Sequence, residues 1–190
     1  MMTLKFLIPL TCLALAACGG DDPIVVEEIA EEPDRKDIAM LCDLYVQRLS
    51  TQTDESAEAG FDAMERLGIS EKGIEKARES RERGREEYVE GVEECCKVFN
   101  KDVKDLTDMQ TAYVYADLVL SSITRDMMTP AMQRQARSLR ETSEDNMTRP
   151  ERNAAYDVRA SLPKCEKVVA NDVSRENTQR IKDIMDKYKK

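Results

Sequence analysis

The composition of this 190-residue chain favours an all-α domain and excludes several kinds of site. Hydrophobic residues make up 41% of the chain and charged residues 35%, a balance that suits a folded domain better than a disordered one. The formal net charge is −9, so the overall charge gives no indication of nucleic-acid binding. The absence of His excludes Ser-His-Asp and Cys-His catalysis and removes the commonest transition-metal ligand.

The first 17 residues have the layout of a signal peptide for export. Lys5 supplies a short positive region, and a mainly apolar run follows over residues 6–17. Such a run is too short to cross a bilayer as a permanent helix. We therefore expect residues 1–17 to be removed from the mature protein.

The end of this run resembles the lipobox of bacterial lipoproteins. Ala16 and Ala17, two small residues, stand directly before Cys18. The resemblance implies cleavage before Cys18, attachment of acyl chains such as palmitate at Cys18, and a lasting lipid anchor in the membrane. Asp after the acylated Cys favours the inner membrane of Gram-negative bacteria; Gly19 here implies the outer membrane, facing the periplasm, in such a host. The alternative is an ordinary secretory signal in which Cys18 is incidental.

Residues 18–34 are expected to form an acidic tether between the lipid and the folded domain. Asp and Glu recur through this segment, whereas Lys and Arg are absent from it. Like charges repel one another and extend such a linker. The apolar residues Ile24, Val25 and Val26 could instead form a small docking strand.

From residue 35 on, the spacing of apolar residues is helical. We predict one all-α domain over residues 35–190, an irregular bundle of about five to seven helices held by disulfides. Asp34 is expected to cap the first helix, a second covers about 54–67 and stops at Gly68, and a third runs from Ser70 to about 101. The middle of this third helix, over residues 78–87, contains no large apolar residue.

Capping signals mark the remaining helices. Thr107 is expected to begin the central core helix, because apolar residues between 109 and 127 alternate spacings of four and three. Thr129 with Pro130 predicts the start of the next helix, and Thr148 opens a capping box for the one after it. Pro163 is expected to break or kink that helix, and a last amphipathic segment restarts near Ser174.

The cysteines predict two disulfides in the mature domain. With Cys12 in the leader and Cys18 lipidated, four thiols remain: Cys42, Cys95, Cys96 and Cys165. Four thiols in an oxidising compartment favour two bonds, and a bond between the adjacent Cys95 and Cys96 is disfavoured by strain. Neighbours on a helix point ~100° apart, so one can reach Cys42 and the other Cys165, with the choice between them open. A redox or metal site is the alternative, but CC lacks the C-x-x-C spacing and there is no His to complete it.

Charges of alternating sign fill the middle of the third helix. Four arginines are the candidate contact residues there: Arg78, Arg81, Arg83 and Arg85. One interpretation is a solvated stretch that extends beyond the core, and the other is an arm that contacts a partner protein.

We expect the chain to be a lipid-anchored accessory protein of the cell envelope that acts by protein contacts. Its expected partners are the membrane, through acylated Cys18, and another envelope protein; we expect no catalysis, metal, cofactor or nucleic acid. A carrier of an apolar ligand is the alternative, with a cavity lined by the apolar arc of residues 109–127. A carboxylate-dependent envelope hydrolase is a third class, with Glu93 and Glu94 or Asp105 and Asp108 as the candidate pairs.

Overall fold

The computed structural model describes residues 32–52 and 56–189. In these ranges the chain forms six α-helices and a short 3-10 helix and contains no strand, which confirms the predicted all-α bundle. The bounds are α1 Arg35–Thr51, α2 Ser56–Arg66, α3 Glu71–Val103, α4 Asp108–Leu120, the 3-10 helix Arg125–Met127, α5 Pro130–Asp145 and α6 Arg149–Tyr188. The predicted leader, Cys18 and all of the tether before residue 32 lie outside the described residues. No helix in the described ranges is both long and apolar enough to cross a membrane.

Two long antiparallel helices, α3 and α6, run the length of the molecule. They have 33 and 40 residues, which corresponds to about 50 and 60 Å at ~1.5 Å per residue. Small residues on α3 let the two helices approach closely. A Cβ added to Gly73 would lie 2.6 Å from Cβ of Tyr188, and one added to Gly91 would overlap Val169.

The main core lies at one end of this helix pair. It is formed by α1, α4 and α5 together with the second half of α3 and the first half of α6. Every residue of α4 from Tyr113 to Val119 is buried. The prediction that this helix is the central core helix is therefore confirmed.

A smaller core lies at the other end of the pair. Phe61 and Met64 of α2 pack there with Ile69 and Ala77, against the last turns of α6 near Ile184. Gly68 lies in the turn directly after α2 and has a positive φ of 83°, so the helix stops there as the sequence predicts. The molecule thus has two cores joined by α3 and α6.

Helix starts follow the predicted caps. Oδ1 of Asp34 accepts hydrogen bonds from the backbone N–H groups of Lys36 and Asp37 at 2.6 and 3.2 Å. Oγ1 of Thr129 accepts from the N–H of Met132 at 3.3 Å. These local interactions satisfy N–H groups that have no partner inside the helix.

The predicted extension of α4 to residue 127 is wrong, because the helix ends at Leu120. The hydroxyls of Ser121 and Thr124 both donate to the carbonyl of Leu118 at 2.6 Å. They satisfy a carbonyl that the next helical turn would otherwise have bonded. Ile123 and Met127 are still buried in the main core.

The helix does not break at Pro163 and does not restart near Ser174, because α6 is continuous from Arg149 to Tyr188. Pro163 and Arg159, whose carbonyl loses its N–H partner there, are both exposed residues. Leu162 is 1% exposed and Cys165 is bonded to Cys95, so packing holds the helix on both sides of the proline.

Candidate functional site

The arginine-rich stretch of α3 packs between α2 and α6. Its small residues Ser80 and Gly84 are buried, and Oγ of Ser80 donates to Oδ1 of Asn177 on α6 at 3.1 Å. Farther along α3, the Arg180 guanidinium donates both Nη groups to the Glu87 carboxylate at 2.8 and 2.5 Å. One face of this stretch therefore belongs to the interface with α6, and most of its arginines lie beside that face.

Arg78 connects the stretch to α2. Its guanidinium makes a two-pronged contact with the Glu58 carboxylate, one hydrogen bond of which is 2.7 Å long, and it lies 4.3 Å from the centre of the Phe61 ring. The hydrogen bond from Arg78 lowers the pKa of the Glu58 carboxyl below its usual value. Both charged side chains are about half exposed, so the contact orients Arg78 more than it stabilises the fold.

The other three arginines differ in their surroundings. Arg85 donates to the carbonyl of Gln52, just after α1, and to Oε1 of Glu82, both at 2.8 Å. Arg81 is half-buried, and Arg83 is exposed. Three of the four candidate arginines, all except Arg83, line a single groove.

This groove has a volume of about 790 Å³ and lies between α2, α3 and α6. Its apolar lining comes from all three helices: Ala57, Phe61, Tyr88, Ala170 and Val173. Its charged lining comes from Arg78, Arg81, Arg85, Glu58 and Glu82. We call this the α2/α3/α6 groove. An apolar surface with charges beside it is the arrangement that binds an amphipathic protein segment.

A carboxylate that the sequence reasoning missed stands behind Tyr88. Oε1 of Glu166 accepts hydrogen bonds from the hydroxyls of Tyr45 on α1 and Tyr88 on α3, at 2.7 and 2.8 Å. Burial, followed by the hydrogen bond to Glu166, raises the pKa of Tyr88 to about 12, and the same two causes raise the pKa of Tyr45. The cluster fixes the side chain that lines one part of the groove.

The four candidate cysteines come together where α1, α3 and α6 meet. Cys95 and Cys165 form a disulfide with Cα atoms 5.8 Å apart. Cys42 and Cys96 are buried free thiols, so one of the two expected bonds is present. The lipidation candidate, Cys18, lies outside the described residues.

Asp117 is a buried charge that the apolar pattern of α4 concealed. Its carboxylate lies 3.2 Å from Nη1 of Arg140 on α5 and also bonds Nε of Arg159 on α6. The Arg140 guanidinium lies 5.9 Å from the centre of the Tyr113 ring as well. The sequence showed only an Asp inside an otherwise apolar helix. Its two arginine partners show that Asp117 connects α4 to α5 and α6.

The residues expected for the alternative functions are dispersed. A cleft of about 510 Å³ touches the apolar arc only near its start, at Met109, Thr111 and Ala112. Glu93 and Glu94 are exposed and pair with Lys97, and Asp105 and Asp108 are exposed too. Within the described ranges, His, Cys, Asp and Glu form no group of three or more that could hold a metal ion.

The α2/α3/α6 groove and the cysteine cluster bring together residues that are far apart in the chain. Each combines side chains from three helices. Comparisons of the chain with protein-family models, with curated proteins and with solved structures gave no match.

Proposed function

We propose that this chain is a lipid-anchored accessory protein of the bacterial cell envelope and that it acts by binding another protein. The observation that carries this proposal is the α2/α3/α6 groove, with its apolar and charged lining. The groove gives the protein-contact hypothesis a definite surface, and the arginine-rich stretch of α3 forms one wall of it.

The position of the groove supports this proposal. The Arg35 guanidinium, at the start of α1, donates to the carbonyls of Val103 and Leu106 at 3.4 and 2.7 Å, so the chain enters the domain beside the C-terminal end of α3. The groove residues Arg78 and Tyr88 lie about 20–40 Å back along α3, at ~1.5 Å per residue. An anchor on the tether would therefore hold one end of the molecule and leave the groove accessible.

The proposed anchor rests on the leader. Ala16, Ala17 and Cys18 resemble a lipobox, and Gly19 suits an outer-membrane lipoprotein that faces the periplasm of a Gram-negative host. A disulfide between Cys95 and Cys165 fits an oxidising compartment of this kind. The acidic residues of the tether would keep the domain away from an anionic membrane surface.

The lining of the groove suits an amphipathic helix or loop of the partner. Apolar partner side chains would pack against Tyr88, Ala170 and Val173, and burial of this kind supplies most of the affinity in helix-in-groove binding. Polar partner groups would meet Arg81 and Glu82 at the border, which favours one orientation of the bound segment.

Site-specific photo-crosslinking in cells tests this proposal. A crosslinking amino acid at Ser174, which is exposed and lines the groove, is expected to give one adduct of defined mass with an envelope protein. The same amino acid at Val98, which is 58% exposed on α3 outside the groove, is the matched control and should not give that adduct. The same adducts from both positions would contradict the proposal, and so would turnover of a cell-wall substrate by a purified chain that forms no adduct.

A further inference from the structure

We infer that Cys42 and Cys96 form a second disulfide, which joins α1 to α3 beside the bond between Cys95 and Cys165. The two side chains are 1% and 4% exposed in the main core, where α1 packs against α3, and they are the two cysteines of this core that the bond between Cys95 and Cys165 leaves free. The pairing goes beyond the proposed function and does not depend on the groove or on a partner. Only its formation in the cell requires an oxidising compartment.

The geometry of α3 selects this pairing from the alternatives that the sequence leaves open. Cys95 points to α6, where it is bonded to Cys165. Cys96 is rotated by ~100° on the same helix, and it is buried in the same core as Cys42, which lies in the buried stripe of α1. Bonds from Cys42 to Cys95 and from Cys96 to Cys165 would require both contacts to be exchanged.

The surroundings of the two thiols determine when the bond forms. The neighbouring Cys96 thiol is the main cause and burial the second cause of a raised pKa of the Cys42 thiol, well above its usual value. The Cys42 thiolate is therefore scarce once the core has closed, and both buried thiols are then shielded from an oxidant. We expect oxidation during folding, while α1 is still exposed to an oxidant.

The step is a thiol–disulfide exchange with a small disulfide such as glutathione disulfide. The thiolate of one cysteine attacks the oxidant, a mixed disulfide forms, and one glutathione thiolate leaves. The thiolate of the other cysteine then attacks the protein sulfur of the mixed disulfide and releases the second glutathione. The two cysteines lose two protons and two electrons, and the oxidant becomes two glutathione thiols.

With the chain anchored through its tether, as the proposed function has it, this bond would change how the domain is held. The tether enters α1, and α1 otherwise contacts α3 only through packing, hydrogen bonds and polar contacts in the described ranges. With both bonds formed, α1, α3 and α6 are linked covalently at two adjacent positions of one helix. A pull on the tether would then reach the helix pair directly.

Thiol counting tests the number of bonds. The full chain with Cys12→Ser and Cys18→Ser keeps only the four cysteines in question. After refolding with reduced and oxidised glutathione, it is denatured, alkylated with N-ethylmaleimide and weighed intact. We expect no alkyl group on the chain; two alkyl groups on a chain with the helical circular dichroism of a folded protein would overturn the inference.

Two matched variants of this chain test the pairing. With Cys95→Ser and Cys165→Ser added, only Cys42 and Cys96 remain, and we expect no alkylation after refolding. With Cys96→Ser and Cys165→Ser added, Cys42 and Cys95 remain, and we expect two alkyl groups. The reverse pattern, or complete oxidation of both variants, would show that the pairing is wrong.

A measurement on the four-cysteine chain covers the case in which a variant does not fold. Cys95 and Cys96 lie in one tryptic peptide, and fragmentation of the linked peptides between these two residues separates their partners. We expect the Cys42 peptide on the fragment that carries Cys96. Its presence on the Cys95 fragment would overturn the inference.

Discussion

At the scale of single residues, buried and partly buried polar groups join helices that the hydrophobic pattern cannot pair. Glu166 accepts hydrogen bonds from Tyr45 and Tyr88, which lie 121 and 78 residues away in sequence. Asp117 meets Arg159, which lies 42 residues further along the chain. Each partner is recognisable only when the helices are already in place, because a polar side chain in a sequence carries no information about its distant neighbour. These contacts satisfy groups that would be costly to bury alone.

The tyrosine cluster gives a pH dependence at the alkaline side. The pKa of Tyr88 is raised from 10.0 to about 12, so the folded protein holds the phenol proton more tightly than the unfolded chain does. This stabilisation is fully present below pH 10 and is lost as the pH rises to about 12. We expect Tyr88→Phe to reduce this loss, while Tyr45 retains part of it, and to cost about 1 kcal/mol at neutral pH.

Chemical denaturation at a series of pH values measures this effect. The free energy of unfolding of the Tyr88→Phe variant should fall less steeply than that of the wild-type chain above pH 10. Equal slopes for the two proteins would show that Tyr88 does not couple to folding in this range.

At the scale of helices, the sequence predicts starts well and contacts poorly. The caps at Asp34 and Thr129 are local, because each side chain binds backbone groups two or three residues away. The interface around Gly84 joins α3 to residues of α6 that lie more than 90 residues further along the chain, such as Asn177. Its lack of large apolar residues suggested a solvated stretch, but small residues on α3 allow α6 to pack closely. Hydropathy detects large apolar side chains and does not detect a close approach of two backbones.

Two glycine substitutions test the close contact between α3 and α6. A Cβ at Gly91 would overlap Val169, and α6 cannot move away easily because the disulfide lies one turn away on each helix, at Cys95 and Cys165. We expect Gly91→Ala to destabilise the protein by about 1–3 kcal/mol. Gly60→Ala is the matched control, because nothing lies within 4 Å of its added Cβ on α2. It should stabilise the protein by about 0.5–1 kcal/mol.

Urea unfolding of the two variants gives both free energies. If α3 and α6 are in close contact, Gly91→Ala lowers the free energy of unfolding and Gly60→Ala raises it. If both variants are more stable than the wild-type chain, α3 and α6 are not in tight contact at Gly91.

At the scale of the whole molecule, two cores lie at the two ends of the α3/α6 pair, and the α2/α3/α6 groove lies between the long helices and α2. Composition and helical periodicity were sufficient for the fold class, since few residues favour strands. They were insufficient for the groove, because its lining comes from α2, α3 and α6, whose relative positions depend on packing. The cysteines illustrate the same limit. The count of four thiols predicted two disulfides, but only the positions of Cys42 on α1 and Cys165 on α6, relative to Cys95 and Cys96 on α3, distinguish the pairings.

Metabolic labelling tests the proposed anchor. When the chain is produced in Gram-negative cells with a clickable palmitate analogue, we expect the label on the wild-type chain. Cys18→Ser removes the acylated sulfur and should abolish the labelling, whereas Cys12→Ser, which changes only the leader, should leave it unchanged. Equal labelling of the Cys18→Ser chain would contradict acylation at Cys18.

The most direct test of the central claim compares two substitutions on α6 in the Ser174 crosslinking experiment. Val173→Glu places a charge in the apolar lining of the groove, whereas Val168→Glu places one at a site that is 59% exposed and does not line it. We predict that Val173→Glu lowers the yield of the partner adduct roughly tenfold, which corresponds to a loss of about 1.4 kcal/mol of binding free energy. Val168→Glu should leave the yield unchanged. An equal yield from both variants would contradict binding in the groove.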